Sequence, residues 1–264
     1  TPSTSLVLLQ AQQKLNENAA VMSPRYATVN PAANAGLVEG MKGLFNPTDT
    51  ISRQFKNGMM GMGVLGFDEV NMSQSIKQHT NGDWGTGITV TSTVTTEGAT
   101  TLGISFTGSS KTWNVGDVFT IADVYAVNPQ TRESTGSLQQ FTVTAVATGS
   151  STATLSISPA LYSAGQALAT VNALPVAGKT VTMLGSANGQ YAQNLVYHKD
   201  AITFATADLL MPQGVDMASR QVHNGISMRI VRQYDINNDR MPCRIDVLYG
   251  YSTIRPQMAC RIWG

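Results

Sequence analysis

The stretch from Thr86 to Ser158 limits the fold more than any other part of the chain, because it holds 28 Thr or Ser and only six charged residues in alternating runs. Phe119-Thr120-Ile121 and Phe141-Thr142-Val143-Thr144 are the clearest of these runs. β-Branched and aromatic residues at every second position suit a pleated surface buried on one side, whereas a helix would scatter them around its circumference. Gly108, Gly116, Gly136 and Gly149 punctuate the runs at close spacing, which predicts the short strands of a sandwich or small barrel. Residues 160–185 continue more loosely and end in an expected strand at Thr180–Leu184.

The flanks read differently, residues 1–80 as helical and irregular. Leu8, Ala11, Leu15 and Met22 recur at helical spacing after a Ser3 or Thr4 cap, and Ser23-Pro24 is expected to close this first helix. A second is expected after Asn30-Pro31, with Leu37, Val38, Met41, Leu44 and Phe45 as its apolar stripe and Asn46-Pro47 as its stop. Asp49 caps a third, short one that carries Ile51 and Phe55. Alternation returns late in the chain: Ile226, Met228 and Ile230 face one way, Ser227 and Arg229 the other, and Cys243, Ile245, Val247 and Tyr249 repeat the pattern. Asn237-Asn238-Asp239 with Pro242 supplies turn chemistry between them, which predicts an antiparallel pair. The expected fold class is α+β, a discontinuous mixed domain (residues 1–84 and 187–264) interrupted by an all-β, barrel-like insertion (residues 85–186).

Of the 264 residues, 42% are hydrophobic and 12% charged, about half the usual charged share of a soluble domain. A neutral surface of Thr, Ser, Gly, Asn and Gln suits lateral packing against other protein. The formal net charge is +1 and no cationic cluster is present to displace counterions from a polyanion, so nucleic-acid binding of that kind is not expected. No apolar run reaches the ~20 residues of a membrane span, and no secretory signal is visible. A soluble chain of cytosolic origin is therefore expected, and the start at Thr1 rather than Met leads us to expect a processed or truncated product.

Motifs that carry chemistry are matched only superficially. Gly61-Met62-Gly63-Val64-Leu65-Gly66 has the literal form of a dinucleotide fingerprint, but Arg53-Gln54-Phe55-Lys56-Asn57 upstream is polar rather than a strand, so a flexible loop is expected. Asp235, Asn237 and Asp239 have the alternate spacing of a calcium loop, yet Arg240 and Asp246 stand where that loop needs Gly and Glu; a hairpin turn is expected instead. His79, His198 and His223 lack metal-ligand spacing, and no nucleophile elbow accompanies His198 and Asp200. Cys243 and Cys260, without CxxC spacing, read as buried packing. No catalytic, metal or cofactor residue is therefore assigned, and an enzyme is not expected.

The sparse charges suggest contacts between copies. Arg53 and Lys56 flank the glycine segment on one side and Asp68 and Glu69 on the other, so basic and acidic patches of neighbouring copies are expected to meet there. Arg132 and Glu133, in the expected loop Asn128–Ser137, are weaker candidates for the same role.

Asn30-Pro31-Ala32-Ala33, Gly43-Leu44-Phe45-Asn46-Pro47, Gly66-Phe67-Asp68, His198-Lys199-Asp200-Ala201 and the stretch from Gly225 to Leu248 resemble, in that order, the coat proteins of the Salmonella phage P-twenty-two type. The resemblance spans both ends and tolerates a divergent middle. It implies a Hong-Kong-97-like capsid subunit with axial and peripheral domains and an inserted β-barrel. It also implies self-assembly into pentamers and hexamers of an icosahedral virion shell in the host cytoplasm, with a scaffolding protein and a portal as partners. The family carries an N-terminal arm, an extended loop and a long spine helix, none of which matches residues from Thr1 onward. Its insertion can bear a long charged loop, whereas the matching region Thr89–Thr101 is short and has Glu97 as its one charge. The competing expectation is a β-rich binding or adhesion module of a phage tail or surface structure.

Overall fold

The computed structural model describes residues 2, 4–41 and 61–263. They form two compact units, one of residues 1–198 with 257–264 and one of residues 199–256. No helix among the described residues is long and apolar enough to cross a membrane.

The first unit opens with α1 (Ser5–Glu17), β1 (Arg25–Val29), α2 (Pro31–Met41), β2 (Gly61–Val64), β3 (Phe67–Met72) and β4 (Gln78–Thr80). Leu8, Ala11 and Leu15 are the buried face of α1, as their spacing predicts. The helix stops well before Ser23-Pro24, because Ala19 takes a left-handed conformation (φ +55°) and the Ala20 N–H returns to the Leu15 carbonyl at 2.9 Å. Met22 is consequently exposed rather than part of the stripe. The expected third helix and the end of the second lie outside the described residues.

Among the described residues four strands, β1 to β4, occupy a region whose sequence reads as helical and irregular. In β1 the inward positions are Arg25, Ala27 and Val29, and the buried arginine hides the alternation. Its guanidinium completes the end of α1, donating from Nε to the Val21 carbonyl, from Nη2 to the Ala20 carbonyl and from Nη1 to Asn16 Oδ1, each at 2.7 Å. The glycine-rich segment is a hairpin, not a loop: Val64 pairs with Phe67 across a turn made by Leu65 (φ +51°) and Gly66 (φ +80°). Gly66 also admits the Gln12 side chain, since a Cβ there would lie 2.1 Å from its Nε2.

Inserted after β4 are β5 (Thr86–Val90), β6 (Ala99–Thr107), β7 (Lys111–Trp113), β8 (Val118–Val127), β9 (Ser134–Val143), β10 (Ala147–Gly149), β11 (Thr152–Leu161) and β12 (Val181–Met183). The six-stranded sheet has the order β12-β8-β9-β11-β6-β5. An antiparallel bridge between Thr89 and Thr180 joins its two edges, so the sheet closes on itself and exposes no long open edge. Phe119, Ile121, Phe141 and Val143, the alternating positions of the two runs, are all fully buried inside with Trp113, Leu102 and Ile104.

The chain leaves the barrel through β13 (Gln190–Ala192), which pairs with β4, and continues into β14 (Asn194–His198). With the last strand of the chain (Ala259–Ile262) a five-stranded mixed sheet forms, ordered from that strand through β14, β1 and β3 to β2. In it β1 runs parallel to β3 and antiparallel to β14.

The second unit is one antiparallel sheet of β15 (Ile202–Ala207), β16 (Met217–His223), β17 (Ile226–Arg232) and β18 (Cys243–Thr253), in the order β15-β18-β17-β16. The last strand of the chain, in the first unit, is β19 (Ala259–Ile262). Met228 pairs with Val247 and Ile230 with Ile245, the antiparallel pair that the alternation predicts.

Candidate functional site

Residues directly opposite in a ladder share a face, so the registers of the second unit sort its side chains into two sets. One face carries Ile202 and Phe204 of β15, Ile245, Val247, Tyr249 and Tyr251 of β18, Ile226, Met228 and Ile230 of β17, and Met217 of β16. A sheet with such a face normally buries it against a second layer. Here Tyr251 is 79% exposed, Ile245 68% and Phe204 58%, with the Phe204 and Tyr249 rings stacked at 6.0 Å on the surface. Contiguous apolar surface of this kind marks an interaction site. It is the largest exposed concentration of big apolar side chains among the described residues, and it is the candidate site.

The opposite face is mixed, with Val222, Val231 and Leu248 beside an internally paired group of charges. Asp246 of β18 lies directly across from Arg229 of β17, whose Nη2 donates to Asp246 Oδ2 at 2.5 Å, and Arg244 Nε reaches Asp246 Oδ1 at 2.8 Å. Arg229 also donates to the Leu210 carbonyl. The Arg229 hydrogen bond first, and then Arg244, hold the Asp246 carboxyl below the usual carboxylate range. A depressed folded-state pKa contributes stability above the unfolded value of about 3.9 and loses it as pH falls through the folded value. Asp246→Asn is therefore expected to lower the unfolding midpoint of this sheet at neutral pH, with the gap to wild type closing below about pH 3.9. Thermal unfolding by circular dichroism across that range checks it, and a gap independent of pH would contradict it.

The charged residues singled out in the sequence have varied surroundings. Arg53 and Lys56 lie outside the described residues. Asp68 is exposed and engaged within the chain: its Oδ2 accepts the Arg25 backbone N–H at 2.7 Å, and Ser23 Oγ donates to its Oδ1 at 3.2 Å. Glu69 stands opposite Tyr26 in the parallel ladder. Arg132 and Glu133 are exposed on the β8–β9 loop, where Arg132 holds a left-handed conformation (φ +60°) and its N–H closes the loop onto the Asn128 carbonyl at 2.8 Å. The structure gathers Asp68 and Glu69 on β3 and places Arg132 and Glu133 on the barrel.

Glu97, in the short β5–β6 connection, accepts from both the backbone N–H and the hydroxyl of Ser163, at 2.9 and 2.5 Å. These bonds hold its carboxyl below the usual range. Asp235 accepts from the Asn237 N–H and from Asn238 Nδ2 in the turn after β17, the hairpin chemistry expected there. No cluster of metal-ligating side chains occurs among the described residues. Both cysteines are free; Cys260 is part-buried, but Cys243 is exposed, contrary to the packing role expected of it, because it stands at the end of the uncovered apolar face.

A curated relative, the major capsid protein of Acyrthosiphon pisum secondary endosymbiont phage 1, is 24% identical over 257 residues, covering 90% of this chain and 60% of that protein. The chain thus spans about three fifths of that relative's length. Among solved structures, the CUS-3 coat protein I-domain shares 28% identity, covering 38% of this chain and 96% of that one, with a TM-score of 0.29. The family model described as P22 coat protein, gene protein 5, matches residues 7–264, and the chain belongs to that family.

Proposed function

We propose that this chain is the greater part of a structural coat subunit whose complete form self-assembles into the pentamers and hexamers of an icosahedral phage shell. The apolar face of the β15–β18 sheet carries the reading. A monomer with a full complement of contacts would cover ten large apolar side chains, and a subunit whose stability is completed by further polypeptide leaves them ready to be covered. The family match over residues 7–264 supports the same reading.

The finer architecture belongs to this proposal. The five-stranded sheet is the axial domain of a Hong-Kong-97-like subunit, the β15–β18 sheet belongs to the peripheral domain, and the barrel is the insertion. The family's arm and spine helix supply the missing layer. Scaffolding protein and portal are its partners, and the function is structural rather than enzymatic. Assembly proceeds through many modest contacts, so that misplaced subunits leave before the shell locks. Arg53 and Lys56 of one copy meet acidic side chains of the next, setting orientation more than affinity.

Negative-stain electron microscopy of the complete protein, co-expressed with its scaffolding protein, tests the reading. Closed shells of uniform size are expected, and charge reversal by Arg53→Glu with Lys56→Glu is expected to lower their yield severalfold. Dispersed monomers from the wild-type protein would overturn the coat reading. Full yield from the charge-reversed protein would remove Arg53 and Lys56 from the interface.

A further inference from the structure

The barrel is joined to the five-stranded sheet by two strands, β4 and β13, which pair through Tyr191 with His79 and Gln190 with Thr80. Two strands side by side make a narrow stalk about which a closed barrel with its own core can rock. One turn of the barrel, Asn114–Asp117 between β7 and β8, is gripped from outside the barrel by both neighbours.

The first grip is on Asp117, which is fully buried. Its Oδ1 lies 2.9 Å from His79 Nε2 of β4, and its Oδ2 accepts the Gly82 N–H at 3.1 Å and the Asn114 N–H at 2.9 Å. Asn114 Nδ2 in turn donates to the Thr80 carbonyl at 3.0 Å. The second grip comes from the five-stranded sheet. Arg261 of β19 donates from Nη2 to the Gly116 carbonyl and from Nη1 to Gln193 Oε1, both at 2.9 Å. Gly116 makes room for both: a Cβ on it would stand 3.2 Å from His79 Cε1 and 3.6 Å from Arg261 Nη1, and its φ of +102° is one that side chains rarely adopt.

A carboxylate removed from water is costly unless its lone pairs are filled. Asp117 fills them with donors from the barrel and from the stalk together, so its burial is favourable at one barrel orientation and unfavourable when the stalk swings away. Arg261 likewise satisfies its half-buried guanidinium, whose pKa burial lowers, by bonds to Gln193 beside the stalk and to the Gly116 carbonyl of the barrel. We propose that the Asn114–Asp117 turn is a latch that fixes the orientation of the inserted barrel on the five-stranded sheet, with Asp117 as its positioning residue and His79 and Arg261 as the groups that engage it. In a coat subunit this orientation decides which neighbour the barrel meets, a consequence that rests on the reading above.

The latch itself is testable without assembly, on the 264-residue chain. In a Cys243→Ser, Cys260→Ala background, nitroxides on Gln10→Cys of α1 and Thr131→Cys of the β8–β9 loop report the distance between sheet layer and barrel by double electron–electron resonance. One narrow distribution is expected for the parent. His79→Ala and Arg261→Gln leave the barrel's own residues intact, and each is expected to broaden it about twofold, while amide exchange in β8, β9 and β11 keeps its protection. Asp117→Asn should broaden it at least as much. An unchanged width in His79→Ala and Arg261→Gln would overturn the latch. Loss of barrel protection in those two variants would overturn it equally, because the turn would then serve the fold of the barrel instead of its orientation. Failure of the coat reading would leave this result untouched, since no shell enters the measurement.

Discussion

Replacing Phe141 by alanine is expected to cost about 3–5 kcal/mol and to unfold the inserted barrel under conditions where the wild-type chain is stable. The ring is fully buried, stands directly opposite Phe119 in the β8–β9 ladder, and stacks on it with centroids 5.7 Å apart. Its loss removes the transfer free energy of the side chain and leaves a cavity that a closed barrel collapses poorly, because strands bonded on both sides cannot shift independently. Typical domains hold ~5–15 kcal/mol in all, so a loss of this size takes a large share of the barrel's stability. Urea unfolding followed by amide protection in β8, β9 and β11 measures it. Val146→Ala, at a side chain 61% exposed, is the control and is expected to stay within about 0.5 kcal/mol of wild type. A Phe141→Ala cost below ~1 kcal/mol would mean that the two aromatic runs do not form the core.

Those runs were legible because each inward position is apolar and each outward one is Thr, which is the arrangement a one-sided sheet requires. The β17–β18 pair was legible for the same reason. Where the rule is broken by a paired polar group, pattern reading fails: β1 starts with a buried arginine whose partners, the Ala20 and Val21 carbonyls of the link from α1, are placed only after α1 has stopped at Glu17. That stop was itself hidden, since Ala19 takes the left-handed position where glycine would have announced it. The Leu65-Gly66 turn was masked by the glycines around it, which read as a flexible loop. Asp117 shows a further limit. Nothing local distinguishes it from the other sparse charges of the barrel, because His79 and Arg261, its partner and its neighbour, lie far away in sequence. The candidate site was half legible. Alternation in β17 and β18 identifies which side chains share a face, but exposure depends on whether a second layer is present, and local pattern is silent about that. Cys243 was misjudged on this account, and Phe204 and Tyr251 went unnoticed although their positions extend the same face onto β15 and the far end of β18.

The uncovered face makes one substitution informative in two settings. Ile245→Lys places a charge at the middle of the apolar surface, opposite Ile230 and 68% exposed. In the 264-residue chain the ammonium stays in water and costs no desolvation, so stability is expected to change by about 0.5 kcal/mol or less. On the proposed reading the same position lies beneath a second layer in the complete coat protein, and an unpaired lysine there costs several kcal/mol by loss of hydration. Since each ~1.4 kcal/mol is a factor of ten, the yield of closed shells is expected to fall at least tenfold. Thr203→Lys, on the opposite face of β15, is the matching control and is expected to assemble normally. Chemical denaturation of the chain and shell yield by sedimentation of the complete protein give the two numbers. Shells at wild-type yield from the Ile245→Lys protein would show that the face remains in water after assembly, and the observation on which the coat reading rests would then need another occupant. A large effect in the isolated chain would instead mean that Ile245 is already packed there, and that the contacts stabilising the second unit lie on this face and not on the Arg229–Asp246 side.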